Sequence, residues 1–526
     1  MRKIIARANK QITVGWAAAL LAGSFLTSAL LGLLRERLLL ANFGVGPTLD
    51  SYYIAFSIPD LIFYLLISGA LSVTFIPVLS EYFTKNQRKL GWELSSSLMN
   101  LLGLSTLAAS ILIIIFAPWL VGIIYGGNDP AVLERATDLM RLVAVNPFLF
   151  GIASVVASMQ QTVGRFFFNA LSPIFYNLGI IGGTLFLAPT YGIKGVALGV
   201  GLGAIAQLLI QLVGLVGLDY HYSWRINWRH PGLKRVLLTL PARAFDQSID
   251  RLMSIIERFL ASFLFVGAIT AYQTAFTLRN VPITLIGAAI ATAAFPKFSA
   301  LASGRPELFR ATFIKVVRAI VWLSLPAASI AFIMRGYLVR LLLGSGSAVI
   351  ATVLGWLTFS IVFRAVFQAT TRAFYAHKDT RTPLIISAVT LVLNVALAFL
   401  LVERHGIYGL AMAQSAVAAL EVLMLFVMLE KRLGRLFSWP LWADLGRMAV
   451  ATTGMSVFTY LLVSRVFPLL ARDAGFFALA PKFGLIVLLS AIFYVCLSTA
   501  LRLRETRPII DALSRIVFKP IRISPR

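Results

Sequence analysis

Residues 32–37 read Gly32-Leu33-Leu34-Arg35-Glu36-Arg37, and the chain runs on through Asn42-Phe43-Gly44 to Leu49-Asp50-Ser51-Tyr52-Tyr53. The charged triplet sits inside an apolar run from Trp16 to Leu40. A bilayer crossing takes about 20 apolar residues, so this run is long enough to span. Three consecutive charges at hydrocarbon depth are costly. Either they face a protein interior or a water-filled cavity, or they lie near the interface, snorkel outward and anchor the helix. On this stretch alone the two readings are balanced. A basic cluster with a carboxylate close behind, at Asp50, fits a cavity for an anionic group.

Outward from this stretch the pattern repeats. The chain has 526 residues, 59% hydrophobic and 13% charged, with a mean hydropathy of +0.87. Apolar runs of membrane-spanning length recur throughout, which makes it an all-α polytopic membrane protein and excludes a soluble domain. The runs are continuous rather than alternating, which argues against a barrel. The first is too long for a cleavable signal peptide and lacks a small-residue cleavage site. The net charge of +26 falls mainly in loops and at both ends. Topology and anionic phospholipid headgroups explain it better than nucleic acid does. Cys496 is the single cysteine, so no intramolecular disulfide forms.

Fourteen spans are read, near 14–40, 49–80, 92–125, 132–160, 168–188, 194–217, 236–266, 268–300, 308–334, 349–375, 383–402, 407–430, 441–466 and 478–502. With the N-terminus inside, the cytoplasmic connections carry Lys85, Arg88 and Lys89, then Arg225, Arg229, Lys234 and Arg235, then Lys378 and Arg381, then Lys431, Arg432 and Arg435. The opposite connections are poorer in base; Arg335, Arg340, Arg465 and Arg472 go against the trend, and the remaining bias puts both termini in the cytoplasm. The segment from Glu505 to Arg526 reads as a basic amphipathic helix on the inner leaflet.

The two halves echo each other. Tyr52-Tyr53-Ile54-Ala55-Phe56-Ser57-Ile58 resembles Tyr272-Gln273-Thr274-Ala275-Phe276-Thr277-Leu278, and Tyr191-Gly192-Ile193-Lys194-Gly195 resembles His405-Gly406-Ile407-Tyr408-Gly409. Spans one to six therefore match spans seven to twelve. The expected organisation is an N-lobe over 1–217, a cytoplasmic linker over 218–235 and a C-lobe over 236–432. An additional helix pair follows over 433–503, then the tail over 504–526. An even number of spans per repeat gives both lobes one orientation, with a cavity expected between them.

Several residues carry potential chemistry. Arg35 and Arg37 cannot point the same way on a helix turning 100° per residue. Their repeat counterparts lie near Glu257-Arg258, with Asp246, Asp250 and Arg251 upstream on the same span. That acidic stripe fits either cation binding or pairing with arginines. Arg279 and Arg364 add guanidinium groups to spans eight and ten, and such groups suit bidentate contacts with phosphate. Pro59 and Pro282 lie inside spans and are candidate hinges, against the plain reading of ordinary membrane-helix prolines. No G-x-x-x-x-G-K-[ST] stretch occurs, so ATP does not drive this chain directly.

These stretches together resemble the lipid II flippases of the MurJ/MviN family, in the multidrug/oligosaccharidyl-lipid/polysaccharide exporter superfamily. The most specific parts are Gly32 to Glu36, Ala55-Phe56-Ser57-Ile58-Pro59, Glu257-Arg258-Phe259-Leu260-Ala261-Ser262 and Arg372-Ala373-Phe374-Tyr375-Ala376-His377-Lys378-Asp379-Thr380-Arg381-Thr382-Pro383. The resemblance implies fourteen spans in two six-helix lobes plus a helix pair, and a central cationic cavity. Its implied substrate is the undecaprenyl-pyrophosphate-linked peptidoglycan precursor, moved from the inner to the outer leaflet of the bacterial cytoplasmic membrane. Arg35 and Glu36 match the family's first-span pair at the pyrophosphate, and Asp50 a functional aspartate. Glu257 and Asp379 match acidic positions that form a sodium site in some members. The chain departs from the family at Ala29, Phe63 and Thr277, where arginines are frequent.

The reading is a flippase for lipid II working by alternating access, and not an enzyme. Binding falls to Arg35, Glu36, Asp50, Arg279 and Arg364. No cofactor is expected beyond Na+ or membrane-potential coupling, and the protein is expected to be a monomer. The runner-up is a flippase for another polyprenyl-pyrophosphate-linked oligosaccharide. A membrane glycosyltransferase or polymerase ranks last, because long acidic outer loops are lacking.

Overall fold

The structure is a computed structural model. It describes residues 14–67, 71–127, 129–302, 304–344, 346–434, 436, 439–470, 473 and 475–507. The basic segment 1–10 and the tail beyond Arg507 lie outside the described residues.

All regular structure among the described residues is helical, as a lipid environment demands of backbone groups that have no water to bond. Each of the fourteen apolar segments is helical, but the second, read as one span over 49–80, is divided into Pro47–Leu66 and a later part made of Leu71–Phe75 and Ile76–Thr84. In order they are Val14–Phe43, Pro47–Leu66, Arg88–Ile124, Pro130–Thr162, Phe167–Tyr191, Ile193–Val213, Pro231–Ser262, Ala268–Ala302, Pro306–Ile333, Ala348–Ala376, Arg381–His405, Ile407–Leu433, Trp439–Val466 and Phe476–Ala500; they are numbered here helix 1 to helix 14. Twelve are long and apolar enough to cross a membrane. Helices 1 and 7 stand outside those twelve, and they carry the charges at Arg35 to Arg37 and at Asp250 to Arg258.

Helix 3 has 37 residues, roughly 55 Å at 1.5 Å per residue, well beyond the ~30 Å hydrocarbon core. Its first turns bury Trp92, Leu94 and the serines 95–97, and its later turns expose Ile111, Leu112, Ile115, Phe116 and Trp119. An apolar exterior of this kind is a surface for lipid.

The internal repeat is visible in the backbone. Gly192 and Gly406 precede helices 6 and 12 with nearly the same dihedrals, φ 58° and ψ −142° against φ 56° and ψ −134°. That left-handed conformation favours glycine. Three residues on, Gly195 and Gly409 touch the backbone of the preceding helix so closely that an added Cβ would sit 2.5 Å and 2.4 Å from Leu187 and Leu401 respectively.

Both candidate hinge prolines mark a change of helical path. Helix 2 is interrupted at Phe56, three residues before Pro59. The first part of helix 8 ends at Pro282 and a π-helical stretch, Ile283–Ala288, follows. Proline's missing N–H and its clash with the preceding turn account for both departures.

The chain divides into two compact units, Met1–Gln273 and Thr274–Arg526. In the first, helices 5 and 6 pack most closely: an added Cβ on Gly179 would lie 2.2 Å from Gly203 Cα, and one on Gly183 2.6 Å from Gly199 Cα. Small residues at such spacing let membrane helices approach backbone to backbone. Helix 7 packs on helices 2 and 3 within this unit, around buried Ile67, Phe75, Leu98, Met159, Leu233 and Val236.

In the second unit helix 10 packs against helices 9 and 12. Phe298, Phe309, Phe313, Phe374 and Leu425 fill its core. The last helix pair is tied to helix 9 by ions: Arg318 meets Asp444 at 2.7 Å and Glu505 at 2.8 Å, with all three side chains less than 15% exposed.

Candidate functional site: arginines around Asp60

Consecutive residues on a helix point about 100° apart, and Arg35 and Glu36 accordingly serve different neighbours. Glu36 is 2% exposed and accepts a hydrogen bond from the Tyr53 hydroxyl at 2.5 Å. Arg35 is half-buried and its Nη1 donates to Asn177 Oδ1 at 3.3 Å. Asn177 is itself fixed, since its Nδ2 donates to Ser28 Oγ at 3.1 Å and to the Pro173 carbonyl at 3.0 Å. It stands two residues before Gly179, so the glycine contact of helices 5 and 6 sets its position.

Helix 7 adds two more guanidinium groups. Arg251 and Arg258 are seven residues apart, two turns, and share a face. The Arg251 Nη2 donates to the Tyr64 hydroxyl at 2.6 Å, and its guanidinium lies 4.1 Å from that ring's centroid. The Arg258 Nη1 donates to Ser57 Oγ at 2.7 Å and its Nη2 to Gln273 Oε1 at 3.4 Å. One carboxylate, Asp60, interacts electrostatically with Arg251, Arg258 and Arg35. The Nε atoms of Arg35 and Arg258 are buried without a hydrogen-bond partner. Buried donors are normally satisfied, and an unmet one costs about 1–3 kcal/mol. The guanidiniums of Arg35, Arg251 and Arg258 all lie within the electrostatic reach of Asp60, and the two unmet Nε donors are suited to an oxyanion. Beside them stands an aromatic wall in which Phe63 meets Tyr64 and Phe150 at 5.5 Å each, and Phe150 meets Tyr176 at 5.2 Å.

Asp50 has a different role in the geometry. It is 5% exposed, and its oxygens accept from the Gly267 N–H and Thr270 N–H at 2.7 Å and from the Thr270 hydroxyl at 2.6 Å. It caps the start of helix 8 from helix 2, a favourable place for a carboxylate. Glu257, 3% exposed, accepts from the Tyr272 hydroxyl at 2.9 Å.

In the second unit, Arg279 is 2% exposed. It donates to Ser360 Oγ and Asn280 Oδ1, each at 3.3 Å, and lies over the Phe276 ring. Arg364, one turn beyond Ser360, donates to Glu421 Oε2 at 3.2 Å. The other oxygen of Glu421 accepts from Ser387 at 3.0 Å and Thr390 at 3.4 Å. Asp379 accepts from Arg381 N–H, Thr382 N–H and the Thr382 hydroxyl, and pairs with Arg432 at 2.6 Å. Burial raises the pKa of its carboxyl, but the Thr382 bonds, Arg432 and the Arg381 N–H outweigh burial and hold it below the usual carboxylate value. The donor set around Asp379 is therefore that of a helix cap with its own cation. Among the described residues no group of three His, Cys, Asp or Glu side chains gathers as a metal site.

Asp60, Asn177 and Glu421 were not singled out in the sequence. Asp60 carried a usable signal, a carboxylate inside a span directly after Pro59, because intramembrane charges mark functional positions. Glu421 is likewise a lone carboxylate in an apolar run.

By architecture the chain is a helical, multi-pass membrane protein with guanidiniums held inside its helices. A solved structure described as a lipid II flippase MurJ in an inward closed conformation aligns with a TM-score of 0.76 at 22% identity, over 92% of this chain and 99% of that one. An inward-facing multidrug resistance MATE family transporter of the MOP superfamily aligns with 0.66 at 14% identity, over 78% and 95%. The family model for lipid II flippase MurJ matches residues 40–473, and the chain belongs to that family. A lipid II flippase MurJ of Burkholderia cenocepacia is 28% identical over 78% of this chain and 82% of its own. A probable lipid II flippase MurJ of Rhizobium tropici is 26% identical over 92% of both.

Proposed function

We propose that this chain moves lipid II across the bacterial cytoplasmic membrane, from inner to outer leaflet, by alternating access. The observation that carries the reading is the cluster of Arg35, Arg251 and Arg258 around Asp60, with the Nε donors of Arg35 and Arg258 unmatched. A diphosphate brings the acceptors those donors lack, and guanidinium is the group best shaped to meet it. The aromatic wall of Phe63, Tyr64, Phe150 and Tyr176 offers faces against which a sugar can pack.

In this proposal Arg279 and Arg364 hold the second unit together, and Asp50 fastens the start of helix 8. The hinges are the path changes at Pro59 and Pro282. The basic connections face the cytoplasm with both termini, and the protein works as a monomer among anionic phospholipids. Membrane potential or a Na+ gradient resets the cycle, since a charge moved through the field carries free energy. A Na+ role for Glu257 and Asp379 requires Arg432 to release Asp379. Ala29, Phe63 and Thr277, in place of family arginines, favour a second reading in which the glycan on the polyprenyl diphosphate differs from that of lipid II.

The test is complementation of cells depleted of their own lipid II flippase. Rescue by the wild type and failure of a well-expressed Arg35→Ala variant is the expected result. No rescue by a well-inserted wild type moves the substrate to another polyprenyl-linked glycan.

A further inference from the structure

Helices 1 and 5 meet along a polar seam inside the first unit. Ser24 Oγ donates to the Ala170 carbonyl, and Ser28, about one turn on, accepts from Asn177 Nδ2 at 3.1 Å. Asn177 is 6% exposed. Its Nδ2 carries a pair of hydrogens, and both have acceptors: Ser28 Oγ, and the Pro173 carbonyl at 3.0 Å. A carbonyl accepts and cannot donate, so the amide has one workable orientation, Nδ2 toward Pro173 and Oδ1 toward Arg35. In that orientation Oδ1 accepts from Arg35 Nη1 at 3.3 Å.

A guanidinium presents its donors in a rigid fork, and Nε and Nη2 lie side by side on one edge of it. With Nη1 held by Asn177, that edge is left over. Arg35 Nε is buried without a partner, and Nη2 makes no hydrogen bond among the described residues. Two parallel donors on one edge are what a bidentate contact with a phosphate uses. The anchor is also a neutral group, so it takes none of the positive charge of Arg35. Arg364 and Arg432 differ in this respect, since carboxylates hold them, Glu421 at 3.2 Å and Asp379 at 2.6 Å.

We propose that Asn177 is a positioning residue for substrate binding: it fixes Arg35 so that the Nε–Nη2 edge presents both donors to one phosphate of a polyprenyl diphosphate. This rests on the reading that Arg35 binds the diphosphate. Without Asn177 the guanidinium spreads over several staggered rotamers, and only the competent fraction binds. Helix 5 holds the amide steady because Gly179, two residues on, lies against helix 6, where an added Cβ would come 2.2 Å from Gly203 Cα. A side chain mounted on so close a helix contact has little freedom to follow a mobile arginine.

Equilibrium binding of radiolabelled undecaprenyl diphosphate to the purified full-length protein tests this, since that probe carries the diphosphate whatever the glycan. Asn177→Leu is expected to raise Kd about tenfold, the cost of diluting one competent rotamer among several. On an Arg35→Lys background, where no Nε–Nη2 edge exists to be aimed, Asn177→Leu is expected to add less than about twofold, because residues acting through one another are not additive. A full and equal loss on both backgrounds overturns the proposal and leaves Asn177 to helix packing. Unchanged binding by a folded Asn177→Leu protein overturns it too, while weak binding by Arg35→Gln keeps the diphosphate reading. Where Asn177→Leu does not fold, Ser28→Ala decides: it removes one acceptor of the amide and is expected to weaken binding by a smaller factor, and unchanged binding rejects the proposal. Binding by Arg35→Gln equal to the wild type overturns this proposal and the diphosphate reading together.

Discussion

Arg364 and Glu421 make the sharpest test of which arginines serve structure. They are 3.2 Å apart with side chains 18% and 6% exposed, and Ser387 and Thr390 complete the carboxylate's shell. Glu421→Leu leaves a guanidinium largely stripped of water and without its counterion. Breaking a buried pair in this way costs about 3–5 kcal/mol, whereas replacing both members by apolar groups is often close to neutral. Arg364→Leu leaves the mirror-image defect. For a unit of this size the single losses correspond to roughly 6–20 °C in melting temperature. The double variant Arg364→Leu/Glu421→Leu is expected to recover most of that, with a coupling of about 2 kcal/mol or more. Thermal unfolding of the purified protein, followed by size-exclusion of heated samples, gives the four corners of the cycle. Complementation then asks whether the double variant still works, which is the expected outcome. The reasoning is refuted if Arg364→Leu melts with the wild type yet abolishes transport, because Arg364 would then face the substrate.

Three further outcomes follow from other contacts. Asp50→Ala removes the acceptor of three donors around Gly267 and Thr270. At about 1–3 kcal/mol per stranded buried group it should lower the melting temperature more than Asp50→Asn, and equal melting of the two would count against the cap. Gly179→Val places a branched side chain where Gly203 Cα lies 2.2 Å from an added Cβ; yield and melting temperature should collapse, and a normally behaved variant would show that helices 5 and 6 are not so close. His230 caps helix 7 through an Nδ1 that accepts from the Gly232 N–H, while its Nε2 lies 3.2 Å from the Leu90 carbonyl. Burial pushes the His230 pKa down, so the unfolded chain takes the proton first. The stability this residue contributes is present above about pH 6.5 and is lost as pH falls through the lower folded value. His230→Asn should flatten that part of a pH–melting curve, and an unchanged slope would reject it.

The fourteen helices were legible because lipid leaves the sequence little choice: continuous apolar runs must be helical, and their ends fall at glycines, prolines and charges. The repeat was legible at Gly192 and Gly406 because one unusual backbone conformation demands one residue in both halves. The site was legible only in part. Arg35 and Glu36 stood out as charges in an apolar run. That Arg258 and Arg251 join Arg35 around Asp60 depends on helix 7 packing against helix 2, and helical periodicity within one span carries no record of its neighbour. The same limit applies to Asp50, whose partners lie more than 200 residues away, and to Arg364, whose counterion sits on another helix.

The central claim is that the arginines around Asp60 bind the diphosphate. Its most direct test is lipid II transport in vesicles holding the purified chain, scored by cleavage of lipid II with an enzyme that reaches one face only. The account predicts transport by the wild type and a loss of about 10–100-fold in Arg258→Gln, the effect of removing a charged hydrogen-bond donor worth ~1.5–3 kcal/mol. Arg258→Lys, which keeps the charge, should recover part of it. Undiminished transport by a stably folded Arg258→Gln protein would contradict the account.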